Sequence, residues 1–134
     1  MTDQNESNLG DDGMEITVRL DRTELIGKSL GHITGYNLVD RDGAVFTLEN
    51  GINSLGRLKR ANTIILKDKF CSALHAEMMY DEESLTLTDL GSTNGTFVNG
   101  IRLAPATNHV LVPGDEITLG HTFLRVEAIR DDQS

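Results

Sequence analysis

From about residue 33 to residue 129, short runs of apolar and polar residues alternate between turn-forming residues. Leu85–Thr88 alternates residue by residue, as a half-buried β-strand does. The later runs Val110–Val112, Glu116–Leu119 and Thr122–Ile129 are separated by Pro113-Gly114-Asp115 and by Gly120-His121. Many short strands at a spacing of about 8–12 residues predict an antiparallel β-sandwich or barrel.

Two hairpins are indicated by their turn residues. Tyr36–Val39 and Ala44–Leu48 flank an Arg-Asp-Gly turn at 41–43. Thr96–Val98 and Ile101–Leu103 flank Asn99-Gly100, the dipeptide that favours a type I′ turn because both of its residues tolerate a positive φ.

One stretch departs from the strand pattern. Residues 57–90 contain neither Gly nor Pro, and Phe70, Ala73, Leu74, Glu77 and Met78 fall near helical spacing. Local pattern alone therefore leaves a helix over about 69–82 open beside the strand interpretation.

The first 30 residues are predicted to form an acidic, largely disordered tail. Residues 1–13 contain almost no apolar side chains, so they bury too little surface to offset the entropy of ordering them. Residues 14–20 are sufficiently apolar to form an extra edge strand.

Residues 1–15 hold five acids and no base, which accounts for −5 of the chain's formal net charge of −9. A net-acidic chain is a poor candidate for binding nucleic acid, where phosphate neutralisation drives association.

Composition limits the classes of protein to which this chain can belong. The 134 residues suffice for one ordinary domain, and with 4% aromatic residues and no Trp its core must be aliphatic. No apolar run has membrane-spanning length and no basic-then-apolar leader opens the chain, so neither a membrane protein nor a secreted one is expected. The single Cys71 fits a reducing, cytoplasmic compartment and an inert buried thiol.

No enzyme signature is present, and neither a metal nor a cofactor is expected. The four histidines lack metal-ligand spacing, and the common phosphate-loop, dinucleotide and nucleophile-elbow motifs are missing. Ser72 and His75 lie three residues apart, a spacing that on a strand places two side chains on opposite faces. A third catalytic member at Asp89 has no support from spacing.

Residues 57–69 form a local basic cluster. Five bases against Asp68 give this stretch a charge of +4. Charge alone leaves two interpretations open, a solvated basic face or a site for a small anionic partner.

Four short pieces occur in a fixed order: Leu55-Gly56-Arg57, Ser72-Ala73-Leu74-His75-Ala76, the run 89–100 (DLGSTNGTFVNG) and the run 113–120 (PGDEITLG). In this combination and spacing the chain resembles the forkhead-associated (FHA) domain over about residues 33–129. The resemblance implies an all-β fold, an eleven-stranded antiparallel β-sandwich (SMAD/FHA-like), in a domain over 31–130 that follows the tail at 1–30.

The resemblance also implies where the strands lie. It places them near 35–39, 44–48, a third ending at Arg57, then 63–66 and 75–80, followed by the later strands named above. It therefore favours a loop through Ser72 and then a strand, in place of the helix over 69–82.

The phosphopeptide-binding residues implied by the resemblance are Arg57, Ser72, Thr93 and Asn94. The Arg57 guanidinium would grip phosphate oxygens with its planar fork, and the Ser72 hydroxyl and its loop backbone would also hold the phosphate. Thr93 and Asn94 would contact the peptide main chain, since an amide side chain both donates and accepts.

Further residues are implied in secondary or supporting roles. Ala73 replaces a polar or basic residue common in the family, so backbone N–H groups or Lys69 would substitute for it, and Phe70 would read a residue beyond the phosphothreonine. The residues expected to support the site are Gly56, His75, Gly95, Asn99 and Gly100.

The function that the resemblance implies is a non-catalytic module that binds phosphothreonine peptides in Ser/Thr kinase-dependent signalling. Its partners would be phosphothreonine-containing proteins, either a kinase or a kinase substrate, with no nucleic acid and no membrane.

Two alternative functions stay open. A phosphorylated threonine of the tail (Thr2, Thr17 or Thr23) would fold back onto Arg57 as a switch, or the domain would bind or dimerise independently of phosphate.

Overall fold

The structure is a computed structural model that describes residues 31–131. The extra strand expected at 14–20 and the expected disorder of the tail at 1–30 lie outside the described residues. Ile33–Ile129 forms one compact unit, and the domain limits 31–130 stay a prediction.

Eleven strands and one short 3₁₀ turn make up the described part of the chain. The strands are β1 (Ile33–Asp40), β2 (Val45–Thr47), β3 (Gly51–Gly56), β4 (Ile64–Ile65), β5 (Ala76–Asp81), β6 (Ser84–Asp89), β7 (Thr96–Val98), β8 (Ile101–Arg102), β9 (His109–Val110), β10 (Glu116–Leu119) and β11 (Thr122–Arg130). The 3₁₀ turn, Lys59–Ala61, lies between β3 and β4. The all-β, eleven-stranded architecture is thus confirmed.

The strands form two sheets. One has the order β9-β6-β5-β3-β4 and the other has the order β2-β1-β11-β10-β7-β8. Adjacent strands whose residue pairing is described run antiparallel to each other, with one exception. Strand β4 runs parallel to β3, with Leu55 opposite Ile64. The 3₁₀ turn and Asn62 lie between the two strands, and Ile64 and Ile65 of β4 pair with Leu55 and Gly56 at the end of β3.

Strand β5 decides between the two interpretations of residues 69–82. Ala76, Met78 and Tyr80 are buried, whereas Met79 and Asp81 are exposed, so burial follows a period of two. The strand pairs with β3 on one side and with β6 on the other. The helical alternative is therefore wrong, and the strand near 75–80 is confirmed. Two flanking strands override the local helical spacing.

The core is aliphatic, as the composition predicts. Side chains from both sheets are fully buried between them, among them Leu38, Leu55, Leu87, Ile117 and Leu124. Burial of a Leu or Ile side chain contributes about 1.5–3 kcal/mol, so these contacts are the main force that holds the two sheets together.

The turn predicted at Asn99-Gly100 has the expected conformation. Asn99 has φ 52° and Gly100 has φ 84°, the pair of positive values that a type I′ turn requires. Within residues 31–131, no helix is long and apolar enough to cross a membrane.

Candidate functional site

One cleft of about 380 Å³ collects residues from three separate chain segments. The segments are the end of β3, the β4–β5 loop and the β6–β7 loop. The residues that line the cleft are Arg57, Lys69, Phe70, Cys71, Ser72, Ala73, Thr93 and Asn94. The cleft therefore holds all four predicted contact residues and all three predicted secondary residues, together with Cys71.

Arg57 is exposed immediately after β3, and its position is fixed by the β4–β5 loop. Its backbone N–H donates to the Ser72 carbonyl at 3.0 Å, and its Nε donates to the Cys71 carbonyl at 3.0 Å. The two Nη groups make no hydrogen bond to any described residue. The guanidinium is thus oriented by one edge while its outer N–H groups stay available to an anion.

Ser72 places a second polar group in the cleft. Its Oγ accepts a hydrogen bond from the Thr93 N–H at 3.0 Å. Because the oxygen is the acceptor in this bond, its own proton is available to a ligand. The Ala73 N–H also has no partner among residues 31–131, so a backbone donor stands where the family often has a polar side chain.

His75 lies fully buried behind the cleft and joins two loops. Its Nδ1 accepts from the Ser72 N–H at 3.0 Å, and its Nε2 lies 2.9 Å from the Gly95 carbonyl. A carbonyl only accepts, so Nε2 carries the proton and the tautomer is fixed. Neither ring nitrogen contacts the Ser72 hydroxyl, so the two residues do not form a nucleophile–base pair.

Asp89, at the end of β6, organises the β6–β7 loop. Its Oδ1 accepts from the hydroxyls of Ser92 and Thr96, both at 2.6 Å. Its Oδ2 accepts from the backbone N–H groups of Gly91 at 3.0 Å and Ser92 at 3.1 Å. Burial raises the pKa of this carboxyl, but the four hydrogen bonds outweigh burial and hold the pKa below its ordinary value. A buried, ionised carboxylate therefore fixes the loop that carries Thr93 and Asn94.

Asn94 joins the β6–β7 loop to the β4–β5 loop. Its Nδ2 donates to the Phe70 carbonyl at 2.9 Å. Its Oδ1 makes no hydrogen bond within the described part of the chain, so it can accept from a peptide N–H. The contact with a peptide main chain expected for Asn94 and Thr93 stays a prediction.

Gly56 is required because the β4–β5 loop approaches its Cα closely. A Cβ at this position would lie 2.3 Å from the Ala73 carbonyl oxygen. The neighbouring Asn62 donates through Nδ2 to the carbonyls of Leu58 and Ala73, each at 2.7 Å. Sequence reasoning did not identify Asn62, since an isolated Asn after a basic stretch carries no signal of this role.

Gly95 has both a positive φ, 89°, and a close neighbour. A Cβ there would lie 2.6 Å from Nε of Arg102. The positive φ disfavours any other residue here, whereas the flexible Arg102 side chain could move aside for a Cβ. The Gly95 carbonyl is the one that His75 binds.

Asp68 fixes the far wall of the cleft. Its Oδ1 accepts from the Phe70 N–H at 2.8 Å, and its Oδ2 accepts from the His121 N–H and the Thr122 hydroxyl, both at 2.7 Å. Partial burial raises the pKa of Asp68, but these hydrogen bonds outweigh burial and lower the pKa overall. The Phe70 and His121 rings stack at 3.8 Å between centroids.

Cys71 is buried, and burial together with the charge of Asp68 raises the pKa of its thiol to about 12. Its Sγ donates to the Leu119 carbonyl at 3.3 Å. The thiol is therefore protonated at neutral pH and unreactive.

Asn99 and Gly100 do not line the cleft. The Asn99 Nδ2 donates to an Asp115 carboxylate oxygen at 3.0 Å, and its Oδ1 accepts from the Glu116 N–H at 2.9 Å. These bonds join the hairpin turn to the start of β10, and the supporting role expected for Asn99 and Gly100 stays a prediction.

Comparison with known proteins gives a consistent picture. The family model described as the FHA domain matches residues 53–120. The protein FhaA of Mycobacterium tuberculosis is 38% identical over 98 residues, which cover 73% of this chain and 18% of FhaA.

Two solved structures share the fold and more than 30% of the sequence. One belongs to work on phosphothreonine-dependent FHA domain interactions (34% identical, TM-score 0.65, 70% of this chain and 96% of that chain). The other is the FhaA FHA domain in complex with the intracellular domain of Rv3910 (34% identical, TM-score 0.63, 69% of this chain and 99% of that chain). The present chain thus spans nearly all of each solved domain, but only about a fifth to about half of the length of the curated relatives it matches.

Proposed function

This chain belongs to the FHA family, and we propose that it binds phosphothreonine-bearing segments of other proteins, in signalling that depends on Ser/Thr kinases. The observation that carries the proposal is the convergence of Arg57, Ser72 and Asn94 on one cleft. FHA domains are non-catalytic binding modules, and we propose no reaction for this one.

The chemistry of the cleft suits a phosphate group. A phosphorylated threonine carries a charge of about −1.5 to −2 and three acceptor oxygens. The cleft offers donors of three kinds, namely the Arg57 Nη groups, the Ser72 hydroxyl and the Ala73 N–H. Hydrogen bonds to charged groups contribute roughly 1.5–3 kcal/mol each, so phosphorylation of the ligand would decide whether it binds.

The surrounding charge favours the same ligand. Asp68 is the one acid within residues 57–69, and its carboxylate is committed to Phe70, His121 and Thr122. The five bases of that stretch, including Lys69 at the cleft itself, outnumber this acid and leave a net charge of +4 that attracts an anion.

The main chain of the peptide would bind to the β6–β7 loop. The Asn94 Oδ1 would accept from a peptide N–H beside the phosphothreonine and fix its register. The partner would thus be a phosphothreonine-containing protein, a kinase or a kinase substrate, rather than a nucleic acid or a membrane. We propose a cytoplasmic location, in keeping with the single reduced Cys71.

Binding of an oriented phosphothreonine peptide library to the full chain tests this function, with fluorescence anisotropy on the selected peptide. We expect Arg57→Ala to weaken binding by roughly tenfold to a hundredfold, since at least one charged hydrogen bond is lost. Arg60→Ala is the matched control, because Arg60 belongs to the same basic stretch but does not line the cleft.

The unphosphorylated and phosphoserine forms of the selected peptide complete the test. The unphosphorylated form should not bind detectably, and the phosphoserine form should bind more weakly if the threonine methyl group is recognised. Equal affinity for phosphorylated and unphosphorylated peptides, unchanged by Arg57→Ala, would refute the proposal and favour the phosphate-independent alternative.

A further inference from the structure

The outer face of the β9-β6-β5-β3-β4 sheet, which points away from the core, carries a line of mostly apolar side chains. Ile52 lies opposite Met79, Met79 lies opposite Thr86, and Thr86 lies opposite Val110. Opposite residues of paired strands point to the same face, so the four side chains form one line across β3, β5, β6 and β9. Ile52 is 57% exposed, Met79 is 42% exposed and Val110 is 65% exposed. We refer to these four residues as the apolar row.

Polar side chains border the apolar row on both sides. Ser54, Glu77 and Thr88 lie opposite one another on the side nearer the cleft, and Asp81 lies opposite Ser84 on the far side. An apolar centre inside a polar rim is the arrangement found in protein interfaces. The outer face of this sheet therefore has the pattern of a binding surface.

The charge of this face has one sign. Strands β3, β5, β6 and β9 contain no Lys and no Arg, and Glu77 and Asp81 lie two residues before and two residues after Met79. Each is about 6.7 Å from Met79 along the strand. Neither carboxylate forms an ion pair with any residue from 31 to 131. The complement of this face is therefore an apolar stripe bordered on both sides by Lys or Arg.

The backbone beneath the row restricts the conformation of a ligand. Met79 and Thr86, in the middle of the row, each pair with a neighbouring strand on both sides. An extended ligand laid over them would find no backbone partners, whereas a helix satisfies its own N–H and C=O groups. The row spans three strand spacings, about 14 Å. About ten helical residues, at 1.5 Å each, cover that distance.

Two other occupants do not match this face. Residues 1–15 of the chain hold five acids and no base, so the tail and the face repel each other. A second copy would bring Glu77 and Asp81 against a face that bears the same two acids. The row with its two borders is also smaller than the roughly 20–30 residues a side that stable interfaces between globular proteins use.

We propose that the apolar row is a second binding site, which takes an amphipathic helix of another protein whose apolar stripe lies between two borders of Lys or Arg. Binding at this site does not depend on phosphate. Ile52 precedes Arg57 by five residues along β3 and its extension, a distance of about 17 Å in an extended chain. The helix and a peptide in the cleft therefore have room to bind together. The domain would hold one partner permanently and take up a second one when that partner is phosphorylated.

Titration of the full chain with a synthetic helix tests this proposal. The probe is a peptide of about 18 residues, long enough to be helical in water, with a Leu stripe between two Lys stripes on an Ala background. One control peptide has the same composition in an order that removes the stripe, and another carries Glu in place of Lys. We expect only the probe to bind. In nuclear magnetic resonance spectra it should shift the amide signals of residues 52–54, 77–81, 86–88 and 109–110, and leave those of the cleft in place.

Variants assign the binding to the row. Met79→Ser should weaken binding of the probe about tenfold and leave affinity for a phosphopeptide unchanged. The double variant Glu77→Gln, Asp81→Asn should weaken it roughly threefold to tenfold at low salt. Val45→Ser and Glu116→Gln are the matched controls, because Val45 is 54% exposed on β2 and Glu116 is exposed on β10, both in the other sheet.

The outcomes decide which occupant is correct. A probe that does not bind, shifts that do not follow the row, or an equal loss in Met79→Ser and Val45→Ser overturns the proposal. A wild-type dimer in sedimentation that Met79→Ser dissociates would make a second copy the occupant instead. Amide signals of residues 1–15 that shift in Met79→Ser without any peptide would make the tail the occupant. The proposed function of the cleft is tested separately, and none of these results changes it.

Discussion

Replacement of Asp89 by asparagine removes a charge from the centre of the β6–β7 loop without changing its shape. The carboxylate accepts four hydrogen bonds, two from hydroxyls at 2.6 Å and two from backbone N–H groups at 3.0 and 3.1 Å. An amide keeps only one oxygen, so either the two hydroxyls or the two backbone N–H groups keep their acceptor, but not both pairs of donors. The other pair would face an NH₂ group.

The size of the loss follows from these contacts. The hydroxyls can turn to accept from the new NH₂ group, but the Ser92 Oγ already accepts from the Gly95 N–H at 3.0 Å. Bonds to a charged acceptor contribute roughly 1.5–3 kcal/mol each. We therefore expect Asp89→Asn to lower the free energy of unfolding by about 2–4 kcal/mol and to weaken phosphopeptide binding, because Thr93 and Asn94 belong to the same loop.

Urea unfolding followed by circular dichroism measures this loss. The dependence of unfolding free energy on urea is about 1–3 kcal/mol per molar for a small domain, so the midpoint should fall by about 1–2 M. Asp81→Asn is the control, since Asp81 is exposed at the end of β5 and should change stability by less than about 0.5 kcal/mol. If both variants have the same midpoint, the argument for Asp89 is refuted.

The pH dependence gives an independent check. The pKa of Asp89 is lower in the folded protein than in the unfolded chain, where it is about 3.9. Its stabilising effect is therefore complete above the unfolded value and is lost as the pH falls through the folded value. The difference in stability between wild type and Asp89→Asn should be constant from pH 7 to pH 5 and should shrink below about pH 4. Asp68, whose pKa is also lowered, adds to the acid sensitivity of both proteins alike.

Three further predictions concern residues at or behind the cleft. Gly56→Ala should displace the Ala73 carbonyl, lower stability by about 1–3 kcal/mol and weaken phosphopeptide binding; an unchanged melting temperature and affinity would contradict the close approach. His75→Leu is close in volume but loses two buried hydrogen bonds, so it should lower the unfolding free energy by about 2–4 kcal/mol in urea titrations, and a loss below about 1 kcal/mol would disprove the bridging role. The Cys71 thiol, with its pKa raised to about 12, should react with a disulfide reagent at pH 8 only after unfolding; rapid labelling of the native protein would show that the thiol is accessible.

The positions of many strands along the chain could be predicted because turn chemistry is local. Asn99-Gly100 strongly favours a type I′ turn between two strands, and the strands on either side of it were expected at nearly the observed bounds. The segment 69–82 could not be assigned from its own pattern, because the strands on both sides of β5 override its helical spacing. The parallel direction of β4 was not anticipated either, since a two-residue strand carries no signal of direction.

The residues that line the cleft were predictable because the motif fixes their order and spacing. The residues that hold the cleft in shape were harder to predict from the sequence. Asp89 was considered only as a catalytic partner and set aside, although its four hydrogen bonds organise the β6–β7 loop. Asn62 and Asp68 were missed in their structural roles, because each acts on a segment brought near by folding rather than by sequence.

The three segments of the cleft are hydrogen-bonded directly to one another. Thr93 donates to Ser72, Asn94 donates to Phe70, and Arg57 donates to two carbonyls of the β4–β5 loop. Little conformational freedom would be lost on binding, so encounter with a phosphopeptide should be rapid and speeded by the surrounding positive charge. Preference among ligands would then lie in residence time, with cognate and non-cognate phosphopeptides arriving at similar rates and leaving at different ones.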